Sequence, residues 1–279
     1  MKKSLFVLAL ICLSIAGCKK DDGGTSTGED LSYIYQTYYR YESGGHTIKY
    51  TKTYDGHKQT SYKYYYDGLL TTEYKNYSYD GLKVSFDSYN YQNGDANNVT
   101  VLHYECEYLD DTYLRVKYSK SYDPDLQNIG EVYYWYDGKK TLSSKSYSNG
   151  VLTADAYYSY DGLYCSYTRS NYSSGVVYQK RNYEILYLDE TYLRKKSSSE
   201  TRNYLDADGN ITSSHTIYYV YDYEDETKPV RYQRYYDGKL SSIARDYHYD
   251  GLNCYYFVDS YNNEGEVTST SLYEVEYLE

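Results

Sequence analysis

Tyr66-Asp67-Gly68 is followed, thirteen residues on, by Tyr79-Asp80-Gly81-Leu82-Lys83-Val84-Ser85-Phe86. Asp-Gly is among the strongest short hairpin signals, because a two-residue type I′ turn needs positive φ at both central positions. After the corner, Leu82, Val84 and Phe86 alternate with polar residues, the period-two pattern of a strand with one buried face. Thirteen residues then hold one strand of about nine or ten plus a turn.

The same beat runs through the chain. Tyr-Asp-Gly recurs at Tyr54, Tyr136, Tyr160, Tyr236 and Tyr249, with variants at Tyr147-Ser148-Asn149-Gly150 and Tyr221-Asp222-Tyr223. Alternation returns at Leu102, Tyr104, Cys106 and Tyr108, and at Ile217, Tyr219 and Tyr221. A longer repeat encloses these corners. Tyr104–Arg115 recurs as Tyr183–Arg194, and Tyr273–Glu279 matches the first half of both. Thr37-Tyr38-Tyr39-Arg40 matches the second half. Cutting at each threonine gives units 37–111, 112–190 and 191–279, and the chain is expected to be complete. The fold expected is all-β, an elongated antiparallel meander of three similar units, about eighteen strands in all. A propeller-like or coiled sheet is the alternative.

Tyr-Asp-x-x-Gly corners joining short strands resemble the tyrosine–aspartate (Rhs-type) repeats of bacterial surface and secreted proteins. Tyr204-Leu205-Asp206-Ala207-Asp208-Gly209 is the nearest match. The resemblance implies a β-hairpin array and carries nothing about function.

The N-terminus points to export. Met1-Lys2-Lys3, an apolar run from Leu5 to Ile15 and small residues before Cys18 read as a secretory signal over 1–17. The run falls short of the roughly 20 apolar residues that span a bilayer. Ile15-Ala16-Gly17-Cys18 resembles the bacterial lipobox, which implies lipid attachment at Cys18. Residues 18–30 are polar and Gly/Ser/Thr-rich, the composition of a flexible tether. Lys19-Lys20-Asp21-Asp22 resembles the export signal of Bacteroidota surface lipoproteins and implies an outer-membrane lipoprotein exposed on the cell surface. A spacer facing the periplasm is the other reading.

Composition narrows the partners. Formal charge is −11, and loss of Lys2 and Lys3 with the signal takes it to −13. Without a Lys/Arg block, nucleic acid is a poor partner, and the membrane is met through the lipid alone. The 50 tyrosines against 3 Phe and 1 Trp fit half-buried strand positions and point to a thin or open sheet.

No catalytic constellation is present. The histidines lack metal spacing, and no Gly-x-Ser-x-Gly elbow occurs. No cofactor motif is found, and the chain is read as a non-enzyme, with a secreted hydrolase the remote alternative. Cys106 aligns with Ile185 and Val275, and Cys165 and Cys254 align with Val84, so these thiols read as small core side chains; a Cys165–Cys254 disulfide is the other possibility. Asp206–Asn210 reads as a hairpin turn rather than a calcium loop. The acid pairs Asp110-Asp111 and Asp189-Glu190 recur, which suits a structural turn.

Tyr133 and Trp135 share one strand face. A solvent-facing strip there would stack on sugar rings or anchor a protein. The functional expectation is a surface-anchored binding or scaffold protein, with a glycan-binding accessory lipoprotein as alternative.

Overall fold

The computed structural model describes residues 35–277 apart from 42–44, 126, 191, 193, 225–227 and 252. The signal segment, Cys18 and the tether lie outside the described residues. The chain forms β1 (Tyr35–Tyr41), β2 (Thr47–Asp55), β3 (Lys58–Tyr66), β4 (Leu69–Asp80), β5 (Lys83–Gln92) and β6 (Asp95–Tyr108). Next come β7 (Val116–Tyr122), β8 (Ile129–Asp137), β9 (Lys140–Ser148), β10 (Val151–Asp161), β11 (Tyr164–Ser173) and β12 (Val176–Tyr187). The last six are β13 (Lys195–Leu205), β14 (Ile211–Glu224), β15 (Lys228–Tyr236), β16 (Lys239–Asp250), β17 (Asn253–Tyr261) and β18 (Val267–Tyr277).

Every strand pairs antiparallel with its sequence neighbours, and β1 also pairs with β18. Tyr38 therefore lies between Tyr50 of β2 and Val275 of β18. The sheet closes into an eighteen-stranded barrel. This corrects the expected elongated meander, the propeller alternative and the thin open sheet. Closure removes both edges, whose unpaired N–H and C=O groups an open meander would leave exposed. All-β character and the count of eighteen strands stand.

One face of the ladder is the inside. Val84, Cys165, Ile185, Ile217, Ala244, Cys254 and Val275 are all buried, and cross-strand pairing links them: Cys165 opposes Ile185, and Cys254 opposes Val275. Cys165 and Cys254 are free thiols, sitting on β11 and β17 with no bond between them.

Inward tyrosines form the lining. Tyr247, Tyr256, Tyr273, Tyr38, Tyr50 and Tyr64 run ring to ring across β16, β17, β18, β1, β2 and β3, at centroid spacings of 4.5, 4.9, 5.6, 5.3 and 4.8 Å. This run crosses the seam where the chain's two ends meet. Tyr158, Tyr167 and Tyr183 form a second run, each step 4.3 Å.

The corners differ from expectation by one residue at one end of the barrel. At Asp67-Gly68, Asn149-Gly150 and Asp237-Gly238 both residues have positive φ, the type I′ pattern. At Tyr54, Tyr79, Tyr136 and Tyr160 the aspartate ends the strand, so the loop is Gly56-His57, Gly81-Leu82, Gly138-Lys139 or Gly162-Leu163. There only the glycine has positive φ, as in type II′ turns. The two turn types occupy opposite ends of the barrel. The type I′ aspartates also brace the neighbouring strand. Asp67 accepts from the Thr47 backbone N–H (2.8 Å) and pairs with His46 (2.8 Å). Asp237 does the same with Thr216 (2.6 Å) and His215 (2.9 Å).

Thr37–Arg40 and Thr112–Arg115 hold different places in the fold. The former lies within β1, whereas Thr112 and Tyr113 form the turn before β7. Tyr108 pairs with Val116, Tyr187 with Lys195 and Tyr277 with Tyr35.

Candidate binding face

Tyr133 and Trp135 lie on the outward face of β8, since Tyr134 between them opposes the buried Ser144. Three strands contribute to the patch. Tyr118 of β7 opposes Tyr133 at 4.8 Å, Tyr147 of β9 meets it edge-on at 5.9 Å, and Trp135 stacks along the strand at 6.2 Å and 26°. Tyr118 and Tyr133 both donate their hydroxyls to Glu131 Oε1, at 3.0 and 3.2 Å. Lost hydration, then the Glu131 carboxylate, push both phenols up. They stay neutral donors at physiological pH.

The row beyond is wider. Trp135 opposes Ser143, which opposes Tyr157 of β10. The small serine leaves a gutter between two rings that are 45% and 57% exposed. Strand spacing sets them roughly 10 Å apart. Lys145 opposes both Tyr133 and Asp155, so charged and hydroxyl groups flank the rings. This arrangement offers stacking faces and hydrogen-bonding groups, and no nucleophile activated by a base. Sequence reading found Tyr133 and Trp135; it missed Tyr157, which is their neighbour only through pairing across β9.

The other sequence candidates resolve locally. Asp206 accepts from the backbone N–H of Asp208 (3.0 Å) and Asn210 (2.8 Å), spending its oxygens on its own turn. Asp110 and Asp189 pair with Arg115 and Arg194 across their loops. His103 pairs with Asp87 and His248 tilts over Tyr255. Among the described residues no group of three His, Cys, Asp or Glu side chains could hold a metal ion.

Two solved porin-like proteins resemble the barrel. One, from Bacteroides uniformis ATCC 8492, matches with a TM-score of 0.45 and 9% identity, over 87% of this chain and 96% of its own. The other, from Bacteroides vulgatus ATCC 8482, gives 0.41 and 11%, over 88% and 98%. At these values neither tells what this chain binds. No family model and no curated protein matches. The Rhs-type resemblance is thereby corrected: its hairpin array is a single closed barrel, and Tyr204–Gly209 is one of its turns, capped by Asp206.

The outer face carries charge along its strands. Outward positions include Lys63 opposite Glu73, Lys75 opposite Asp87, and Glu105 opposite Lys120. A spanning barrel needs an outward apolar band about 25 Å tall, where a basic residue at mid-depth costs about 2–4 kcal/mol. Here outward charges stand along the strands, interspersed with exposed rings such as Tyr164, Tyr218 and Tyr255.

Proposed function

We propose that the chain is an outer-membrane lipoprotein, lipidated at Cys18, whose water-facing barrel is held at the cell surface by residues 18–30 as a binding module. The observation that carries the reading is the outward cluster of Tyr133, Trp135 and Tyr157, with Tyr118 and Tyr147 beside them. Aromatic rings this exposed bury no core surface, and they match what a sugar ring requires: a flat apolar face edged by hydrogen-bonding groups. The ligand class we assign is therefore a glycan chain, laid across Trp135 and Tyr157 with Ser143 beneath it. Net negative charge favours neutral over acidic polysaccharide at this outer site.

Affinity electrophoresis of the purified mature chain in gels containing neutral polysaccharides tests this. At least one polysaccharide is expected to retard it. Trp135→Ala is expected to weaken that retardation roughly 5–10-fold, the worth of about 1–1.4 kcal/mol of ring stacking. Retention by no polysaccharide, or identical retention of the variant, contradicts the reading.

A further inference from the structure

The barrel sorts its charges by face. At outward strand positions acids and bases are mixed, as in Lys63/Glu73 and Lys120/Glu131. Among the described residues, inward strand positions carry five arginines in the half nearer the type I′ turns: Arg40, Arg169, Arg181, Arg202 and Arg234. Register fixes each: Arg40 opposes Tyr273, Arg234 opposes Tyr219, and Arg169, Arg181 and Arg202 oppose one another in a single row. Glu200 is the one acid at these inward positions among the described residues. In a chain of formal charge −11, this is a cationic interior.

The row has a specific geometry. Arg169, Arg181 and Arg202 stand directly opposite on β11, β12 and β13, and His215 of β14 continues the line. Like charges so placed destabilise a sheet, and of the three guanidiniums only two reach the one carboxylate. Glu200 accepts from Arg202 Nε (2.7 Å) and Nη2 (2.9 Å) and from the Tyr183 hydroxyl (3.0 Å), with Arg181 Nη1 at 3.5 Å. The other contacts only orient. Arg169 Nε donates to Asn171 Oδ1 (3.2 Å) and Arg181 Nε donates to Gln179 Oε1 (2.7 Å). The side chains of Arg181 and Arg202 keep 33% and 31% of their exposure, so water and solutes reach them. On β15, Arg234 Nε is buried without an acceptor.

We propose that this inward arginine row is a binding site for an oxyanion group: a carboxylate, sulfate or phosphate, free or borne on a larger ligand. Planar guanidiniums held in register match two oxygens of such a group bidentately. Glu200 acts as the built-in competitor, occupying Arg202 and part of Arg181, while among the described residues no carboxylate pairs with Arg169. The site stands independently of the outer aromatic patch.

Calorimetric titration of the purified mature chain at low salt, with citrate, inorganic phosphate and a sulfated disaccharide, tests the proposal. At least one probe is expected to bind, with affinity falling as salt rises. Comparable binding of all three supports recognition of the oxyanion itself; binding of the disaccharide alone supports an acidic saccharide as its bearer. The pair Arg169→Gln and Arg181→Gln is expected to weaken binding at least about tenfold, one charge-assisted contact's worth. Glu200→Gln is expected to tighten it by a similar factor, a gain that a purely structural ion pair would not give. Absence of binding by all three probes overturns the site, as does a Glu200→Gln protein of native circular dichroism that binds no tighter. If the double arginine variant does not fold, the Glu200→Gln result decides alone.

Discussion

Ile217 keeps none of its surface exposed, held between Glu200 of β13 and Tyr236 of β15. It is one of few aliphatic side chains in a lining made mostly of tyrosine. Ile217→Ala should therefore cost about 2–5 kcal/mol, read as a lowered midpoint in urea; an unchanged midpoint would show that the inward face is not packed. Alternation with Tyr219 and Tyr221 revealed in sequence that Ile217 shares their face. The same rule put Tyr133 and Trp135 together, but period two does not say which face looks outward. The arginine row was illegible for a further reason. Arg169, Arg181 and Arg202 become neighbours only through the registers of β11–β13, and register shifts at Asn171/Tyr172 and Leu186/Tyr187 flank those pairings.

Strands were the most legible level, because tyrosine-rich alternation between Gly corners admits few other readings. Turn type was less so. Asp-Gly serves at one end as both central residues and at the other as strand end plus first loop residue, and the strand's length to the corner decides which. The aromatic runs these strands carry predict an alkaline transition. Burial first, and then neighbouring tyrosines, push Tyr158 and Tyr79 up to about 12 and raise Tyr167, while burial and then the Glu200 carboxylate raise Tyr183. An unfolded tyrosine titrates near pH ~10. A raised folded value means the contribution to stability is complete below about pH 10 and is lost as pH climbs through the folded values. Circular dichroism and tyrosinate absorbance should change together above pH ~10; tyrosines titrating freely near that pH with the fold intact would contradict their burial.

At the scale of the molecule, closure is what sequence periodicity could not announce. Hairpins pair neighbours in sequence, whereas the seam joins β1 to β18. Tyr41 donates its hydroxyl to Glu274, 233 residues away, at 3.3 Å. No local pattern marks β1 and β18 as partners. The seam also completes the inward ring run and places Arg40 inside. Thr37→Cys with Glu276→Cys measures it most directly. These residues oppose one another, so their Cα atoms lie about 4.5–5.5 Å apart, within disulfide reach. The closed barrel predicts that mild oxidation of the folded protein joins the two cysteines, seen as a linked pair of terminal peptides by mass spectrometry. Two thiols that stay free and reactive under those conditions would mean that the sheet is open and the inside described here does not exist.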